Sequence, residues 1–441
     1  MKFRGLAIAC VVLLALSGVL YWSSHHKAEK KVSANSSPVI LKVDPAAVTA
    51  LSIHKLDSAP VALARTSSGA WQISAPTTLP ANQQTVKDML GDLSPLSGQR
   101  IIATNATDLQ NYGLDKPSVE LDIVEKGGAE KKLLFGDNTP TGDSAYAMVA
   151  GDPRVFTTYA FHKTDLSKNL NDLRDTRLVT ADPDKMSRID LTRGGNEIDF
   201  DRNSHGNWQI EKPGPYRADT MAVDSLADAL SGVHMDLTGE GSSNADAGFA
   251  HGSPVAAVKI SAPTGQQTLD VRKDGAHYYA KSSVAPGAYL IDSSIADSLN
   301  KQLDSYRNKT VFGFSYNEPD EVDLKIPGKN GGTQSWYLRR GGNDWWLDGK
   351  KMDPDSVENV ISSLRDLTAT GFATTGFANP EIEATVTSSN GSSVEKVSIA
   401  KSGNQYLARR ADEPTLYVLD GGAIEGLEDA AKSIKPAAKS K

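Results

Sequence analysis

Trp71-Gln72-Ile73, then Asn82, then Val86, Met89, Leu90 and Leu93, then Gly113-Leu114 and Pro117: this succession recurs twice more in the chain. The second occurrence is Trp208-Gln209-Ile210, Asp219, Val223, Leu226, Ala227, Leu230, Gly248-Phe249 and Pro254. The third is Trp346-Leu347, Asp353, Val357, Val360, Ile361, Leu364, Gly376-Phe377 and Pro380. In each, apolar residues at offsets 0, 3, 4 and 7 predict one buried face of an α-helix. Asn82, Asp219 and Asp353 stand four residues earlier, where a side-chain oxygen accepts from the free N–H groups of a helix start. Pro354 occupies the first helical position of the third copy, where a missing N–H costs nothing.

The tryptophans are 137 and 138 residues apart, 208 − 71 and 346 − 208. A unit of that length buries its own core, unlike a solenoid repeat of roughly 20–50 residues. The sequence therefore predicts three tandem homologous modules over 41–175, 176–308 and 309–431. The fold class is α+β: antiparallel strands with one helix in the middle of each module and one at its end. In the first module, Val48 to His54, Val61 to Arg65 and Ala70 to Ser74 read as strands, followed by a helix from Gln83 to Leu93. Val119 to Ile123, Lys132 to Phe135, Tyr146 to Val149 and Val155 to Thr158 continue the sheet, and a helix from Asp165 to Leu173 closes it. Residues 432–441 form a Lys/Ala tail expected to be flexible.

Composition narrows the function classes. A net charge of −7 with interspersed signs argues against a nucleic-acid surface. The single cysteine, Cys10, rules out an intramolecular disulfide and a cysteine-based metal site. Residues 1–4 make a short basic stub, and Gly5 to Trp22 is uncharged and mostly apolar, just long enough for a transmembrane helix. Tyr21 and Trp22 at its far end suit a membrane interface. A cleavable signal peptide ending near Ala15-Leu16-Ser17 competes with this anchor; the anchor fits better because apolar residues continue to Trp22. Residues 23–40 then read as linker, with His25-His26 solvated rather than metal-binding.

No nucleotide, phosphate, serine-hydrolase or zinc-protease motif occurs. Asp137-Asn138-Thr139-Pro140-Thr141-Gly142-Asp143 lacks the alternating carboxylates of a calcium loop and reads as a turn. The histidines are scattered, and carboxylates such as Asp320, Glu321, Asp353 and Asp355 are explained by turns and caps. The expectation is therefore a non-enzyme without cofactor or metal. One residue is singled out as a contact for a partner or ligand: Trp345. Strand neighbours point to opposite faces, so with Trp346 in the core Trp345 faces outward, free to stack on a sugar or a partner unless an adjacent module covers it.

Gly69-Ala70-Trp71-Gln72-Ile73, Pro80, Val86 to Leu93 and Tyr112-Gly113-Leu114-Asp115-Lys116-Pro117 resemble the bacterial domain-of-unknown-function 4340 family, as does an N-terminal anchor followed directly by such modules. The resemblance covers nearly everything after residue 40. The third module departs from it by a short Trp-to-cap interval, 353 − 346 = 7 against 11 elsewhere. What the resemblance implies is a bacterial envelope protein, single-pass in the inner membrane, with its modules in the periplasm. It further implies association with ABC-type transport systems, and it supplies no catalytic residue. The expected function is thus an accessory or scaffold for an envelope transport complex, partnered by the membrane through 5–22 and by transporter subunits. The alternatives are binding of cell-wall glycan or another envelope ligand through Trp345, and a hydrolase with a carboxylate pair.

Overall fold

A computed structural model describes residues 37–315, 319–328 and 332–438. The expected stub 1–4, the expected span 5–22 with Cys10, and His25-His26 lie outside the described residues. Among the described residues no helix is long and apolar enough to cross a membrane.

The architecture is mixed α+β, with antiparallel sheets and eight α-helices among the described residues. The chain divides into two compact units, Met1–Asp175 and Thr176–Lys441. The first unit holds one large sheet. From edge to edge its strands are Leu79–Pro80, Trp71–Ala75, Val61–Arg65, Val48–Lys55, Val119–Glu125, Glu130–Asn138, Ser144–Val149, Val155–Tyr159 and Arg100–Ala103. The second unit holds two sheets with the same sequence-order logic. One runs Tyr216–Arg217, Trp208–Lys212, Asn196–Arg202, Arg188–Arg193, Ser253–Ala262, Gly265–Asp274, His277–Ser282 and Ala285–Ile291. The other runs Lys350–Lys351, Asp344–Leu347, Thr333–Gly341, Pro319–Pro327, Ile382–Ser388, Ser393–Ser402, Gln405–Arg410, Leu416–Leu419 and Gly371–Ala373. Each sheet is therefore two meanders joined at their first strands, with the helix-bearing connection between them.

The apolar face of each connection helix seats on one side of its sheet. In Gln83–Asp92 the buried residues are Val86, Met89 and Leu90; in Thr220–Ser231, Val223, Leu226, Ala227 and Leu230; in Pro354–Arg365, Val357, Val360, Ile361 and Leu364. Asn82 caps through Oδ1, which accepts from the N–H groups of Gln84 and Thr85 at 3.1 Å each, and Asp219 accepts from Ala222 at 3.1 Å. Asp353 makes no such bond: its carboxylate turns instead to the Lys435 ammonium, 3.3 Å away.

One backbone bond recurs at all three caps. The N–H of Asn82 donates to Leu173 O at 2.7 Å, that of Asp219 to Tyr306 O at 2.7 Å, and that of Asp353 to Lys435 O at 2.9 Å. A second lacing precedes each first strand: Val43 N–H to Leu93 O, Leu178 N–H to Val233 O, and Val311 N–H to Leu367 O, at 2.9–3.3 Å.

Several expectations change. Residues 432–438 are not a loose tail: Met352 bridges to Pro436, and Ala437 N–H donates to Lys351 O at 3.0 Å. The linker end is structured too, because Val39–Leu41 pairs with Leu96–Ser97 and buries Ile40 and Leu41. The helix expected from Asp165 to Leu173 is two, Ala160–Leu166 and Leu170–Leu173. Asn169 breaks it by capping the second helix, with Asp172 reaching back to the Asn169 N–H at 2.8 Å. Gly248 lies in a further helix, Ala245–His251, that no expectation included, where a Cβ would come within 2.4 Å of the Tyr279 ring.

The largest correction concerns the tryptophan pair. Trp345 is buried, with 8% of its surface exposed, and Trp346 is the outward one at 39%. Trp345 and Leu347 stand two apart on the core face, and Arg340 lies opposite Trp345 as Arg65 lies opposite Trp71 and Arg202 opposite Trp208. Trp345 with Leu347 thus takes the place in its sheet that Trp71 with Ile73 and Trp208 with Ile210 take in theirs, 137 residues after Trp208. Arg65 stacks 4.7 Å from the centroid of Trp71 and Arg202 4.3 Å from that of Trp208, so the guanidinium covers the rim of a core indole.

Truncating a buried tryptophan costs about 3–5 kcal/mol, whereas exposed sites seldom move stability by more than about 0.5 kcal/mol. Urea denaturation should therefore show Trp345→Ala strongly destabilised and Trp346→Ala near wild type; the reverse order would refute the assignment of faces.

Candidate functional site

The densest set of buried charges lies inside the second unit, where its two sheets meet. Arg307 follows directly on Tyr306, whose carbonyl holds the Asp219 amide, and bridges to Ala218; the backbone lacing thus delivers it to the seam. Its guanidinium is sandwiched between the Tyr216 ring of one sheet, 4.1 Å from the centroid, and the Phe372 ring of the other, 3.6 Å away. It donates to Thr415 Oγ1 at 3.2 Å and to Asp304 at 3.3 Å. Arg217 donates to Thr310 O at 3.0 Å and approaches Glu413 at 3.7 Å.

Arg410, only 6% exposed, organises the far side of the seam. It donates to Glu395 at 2.8 Å, Asp412 at 2.8 Å and Val311 O at 2.6 Å. Glu395 also accepts from the Gly313 N–H, at 2.9 Å, and Glu413 accepts from the Tyr417 hydroxyl. Burial disfavours the Arg410 cation, but its hydrogen bonds with Asp412 and Glu395 more than reverse this and keep it charged. The Arg410 hydrogen bond lowers the pKa of Asp412, and burial followed by the Glu413 contact raises that of Tyr417. Chemically this is a closed, internally paired lock and offers no nucleophile–base pair to a substrate.

A second set lies on the open face of the third sheet. Glu321, Arg339 and Trp346 form one row across three strands by register, with Tyr337 beside them. Glu321 accepts from the Tyr337 hydroxyl at 2.8 Å and from Arg339 at 2.8 Å, contacts that hold its carboxyl below the usual range. Trp346 and Tyr337 are both exposed, and the Trp346 indole lies over Gly341, where a Cβ would meet its Nε1 at 3.0 Å. An exposed indole and phenol flanking a fixed ion pair make a flat surface able to stack on a sugar ring or a partner side chain.

His54, Glu120 and Asp122 of the first sheet place three metal-type ligand atoms within 4.8 Å of one another. They are already used: His54 Nε2 meets Asp122 at 3.1 Å, and the Lys132 ammonium bonds Glu120 and Asp122, which raises its own pKa. In the second sheet Asp190 and Asp199 face each other across two strands and share Arg188, at 2.6 Å from each. Burial and the Asp199 charge raise the pKa of Asp190. A groove of about 560 Å³ runs between the Pro354–Arg365 and Gly421–Lys432 helices and is lined by Ser362, Ser363, Asp366, Gly426, Asp429 and Ala430 among others.

Of the residues singled out in the sequence, Trp345 lies in the core and is not a contact surface. The seam residues Arg307, Glu395, Arg410 and Glu413 were missed: Arg307 meets Thr415 over 108 residues of chain, and the local pair Arg410 and Glu413 carries no pattern that marks it as buried. Arg307 alone had a signal, standing just after the closing segment of the repeat.

The family model described as a domain of unknown function, DUF4340, matches residues 71–245 and again 208–384, two overlapping copies where three were expected. No curated protein and no solved structure matches the chain.

Arg410→Ala strands Glu395 beside a buried seam, and breaking a buried ion pair by removing one partner costs about 3–5 kcal/mol; denaturant titration should read that loss. Tyr306 gives a pH signature. Burial pushes its hydroxyl up to about 12, so the folded state favours the neutral phenol. Its stabilising contribution is whole below the ordinary tyrosine pKa near 10 and is lost as pH rises from there toward 12. Stability should fall less steeply over that window in Tyr306→Phe than in wild type, and identical slopes would contradict the burial.

Proposed function

The chain belongs to the DUF4340 family, a domain of unknown function, and from that premise we propose a non-enzymatic envelope protein, held in the bacterial inner membrane by residues 5–22. Its sheets stand in the periplasm and serve as an accessory or scaffold for an ABC-type transport complex. Its three sheets are three tandem copies of one module, over 41–175, 176–308 and 309–431. Supporting this are the equal 137-residue spacing of Trp71, Trp208 and Trp345 and the cap lacing found at Asn82, Asp219 and Asp353.

The observation that carries the scaffold reading is the seam. Arg307 and Arg217 reach from the side of the second sheet to Phe372, Thr415 and Glu413 of the third, and Arg410 with Glu395 braces the third sheet's side of that contact. A chain built this way presents fixed surfaces at fixed separations. The family resemblance supplies the transport partner.

One observation favours a second reading. The exposed Trp346 and Tyr337, with Arg339 and Glu321 between them, suit stacking on a cell-wall glycan. In-cell crosslinking of the full-length protein followed by mass spectrometry separates the two. Near-stoichiometric recovery of a transporter permease or ATPase subunit is the expected result. Recovery with muropeptides, abolished by Trp346→Ala, would replace the scaffold reading with the glycan one.

A further inference from the structure

The exposed large apolar residues of the first unit are not scattered. Among its described residues they are Val39, Leu56, Ile101, Ile102, Tyr159 and Phe161, and all but Leu56 belong to one edge of the sheet. Arg100–Ala103 is the terminal strand there, paired on one side only, with Thr157 opposite Arg100 and Phe156 opposite Ile101. That register brings Tyr159 level with Gly98. Tyr159 and Phe161 stack on each other with ring centroids 5.6 Å apart and planes 15° apart. Val39 lies opposite Ser97, and the Gly98 N–H donates to Pro38 O at 2.7 Å. The described chain therefore begins at this same edge, 15 residues after Trp22 (37 − 22).

The third sheet shows what such an edge is for. Its corresponding strand, Gly371–Ala373, pairs with Leu416–Leu419 and carries Phe372 opposite Tyr417. Phe372 is covered by Arg307 of the preceding sheet. Among the described residues no sheet covers Ile101 and Ile102, and the apolar run 5–22 lies upstream of them in the sequence.

We propose that the Arg100–Ala103 edge, with Val39, Tyr159 and Phe161, rests on the surface of the lipid bilayer that holds residues 5–22. This inference depends on the membrane-anchor reading and adds a second point of contact to it. The chemistry fits an interface: two isoleucines and a phenylalanine to enter the acyl boundary, a phenol to stay at the headgroups, and the exposed Arg100 guanidinium to meet lipid phosphate. A tether of 15 residues reaches at most about 50 Å when extended, so the edge is confined near the membrane and weak insertion is amplified by high local concentration.

The test uses full-length protein in vesicles of phosphatidylethanolamine and phosphatidylglycerol carrying nitroxide lipids labelled near the headgroup. An environment-sensitive fluorophore is attached to native Cys10 or, in Cys10→Ser chains, to Ile102→Cys, Phe161→Cys or, as a control off that edge in the same unit, Leu56→Cys. The expected result is blue-shifted emission and several-fold stronger quenching at 102 and 161 than at 56, with quenching at 161 lost when Ile102→Glu is added. A quenched label at Cys10 with unquenched labels at 102 and 161 would overturn the inference and leave the anchor standing. Labels at 102 and 161 shielded from water yet unquenched by lipid would overturn it in favour of a protein cover. An unquenched label at Cys10 would remove the anchor, and the inference with it.

Discussion

Each sheet is closed by a short backbone bridge, in which the amide of the residue that caps its connection helix donates to a carbonyl at the end of its closing segment and a closing-segment amide donates back. Asn82 with Leu173, Asp219 with Tyr306 and Asp353 with Lys435 are the three instances. A buried N–H without a partner costs about 1–3 kcal/mol, so the cap position cannot be made independently of the far end of its unit. The constraint also explains placement. The cap residue fixes where its helix starts, the helix covers the Trp-bearing meander, and the last carbonyl fixes where the next stretch of chain sets out. Arg307 is in the seam because Tyr306 is in the lacing.

The seam shows polar and aromatic side chains bridging the two sheets of the second unit, with Arg217 and Arg307 of one reaching Tyr417, Thr415 and Phe372 of the other. Arg410, Glu395 and Glu413 are nearly sealed from water, a situation tolerable only because each finds an opposite charge or a fixed hydrogen-bond donor. Such networks contribute less net stability than apolar packing of equal volume, but they penalise every other arrangement of the same surfaces. The aromatic sandwich around Arg307 adds a planar contact that lysine would not reproduce.

Much of the fold was legible. The strands Val48–Lys55 and Val61–Arg65 and the helix Gln83–Asp92 follow from alternation, apolar periodicity and a capping Asn. Legibility failed where two local signals competed. Trp345 and Trp346 are equally hydrophobic, and only register shows which shares the Leu347 face. Asp353 has the look of a cap, yet an ammonium from the far end of the unit wins its carboxylate. The close approach of Tyr279 demands Gly248, a contact between distant residues. The Lys/Ala run after Lys432 looks disordered by composition and is held by backbone bonds to Lys351 and Asp353 that composition does not record.

The sequence by itself determined the α+β class, the repeat period and the side of each connection helix that is buried. Those depend on side-chain periodicity along a few turns or a few strand residues, and the chain carries that information locally. Only the tertiary structure decided which tryptophan lies in the core of the third sheet, that Arg307 meets aromatic rings of two sheets while Arg410 pairs with Glu395 on the neighbouring strand, and that Ile101, Ile102, Tyr159 and Phe161 share one open edge. These depend on strand register and on contacts between residues far apart in the chain. A one-residue change in register turns every side chain of a strand to the other face, and no local pattern reports that choice.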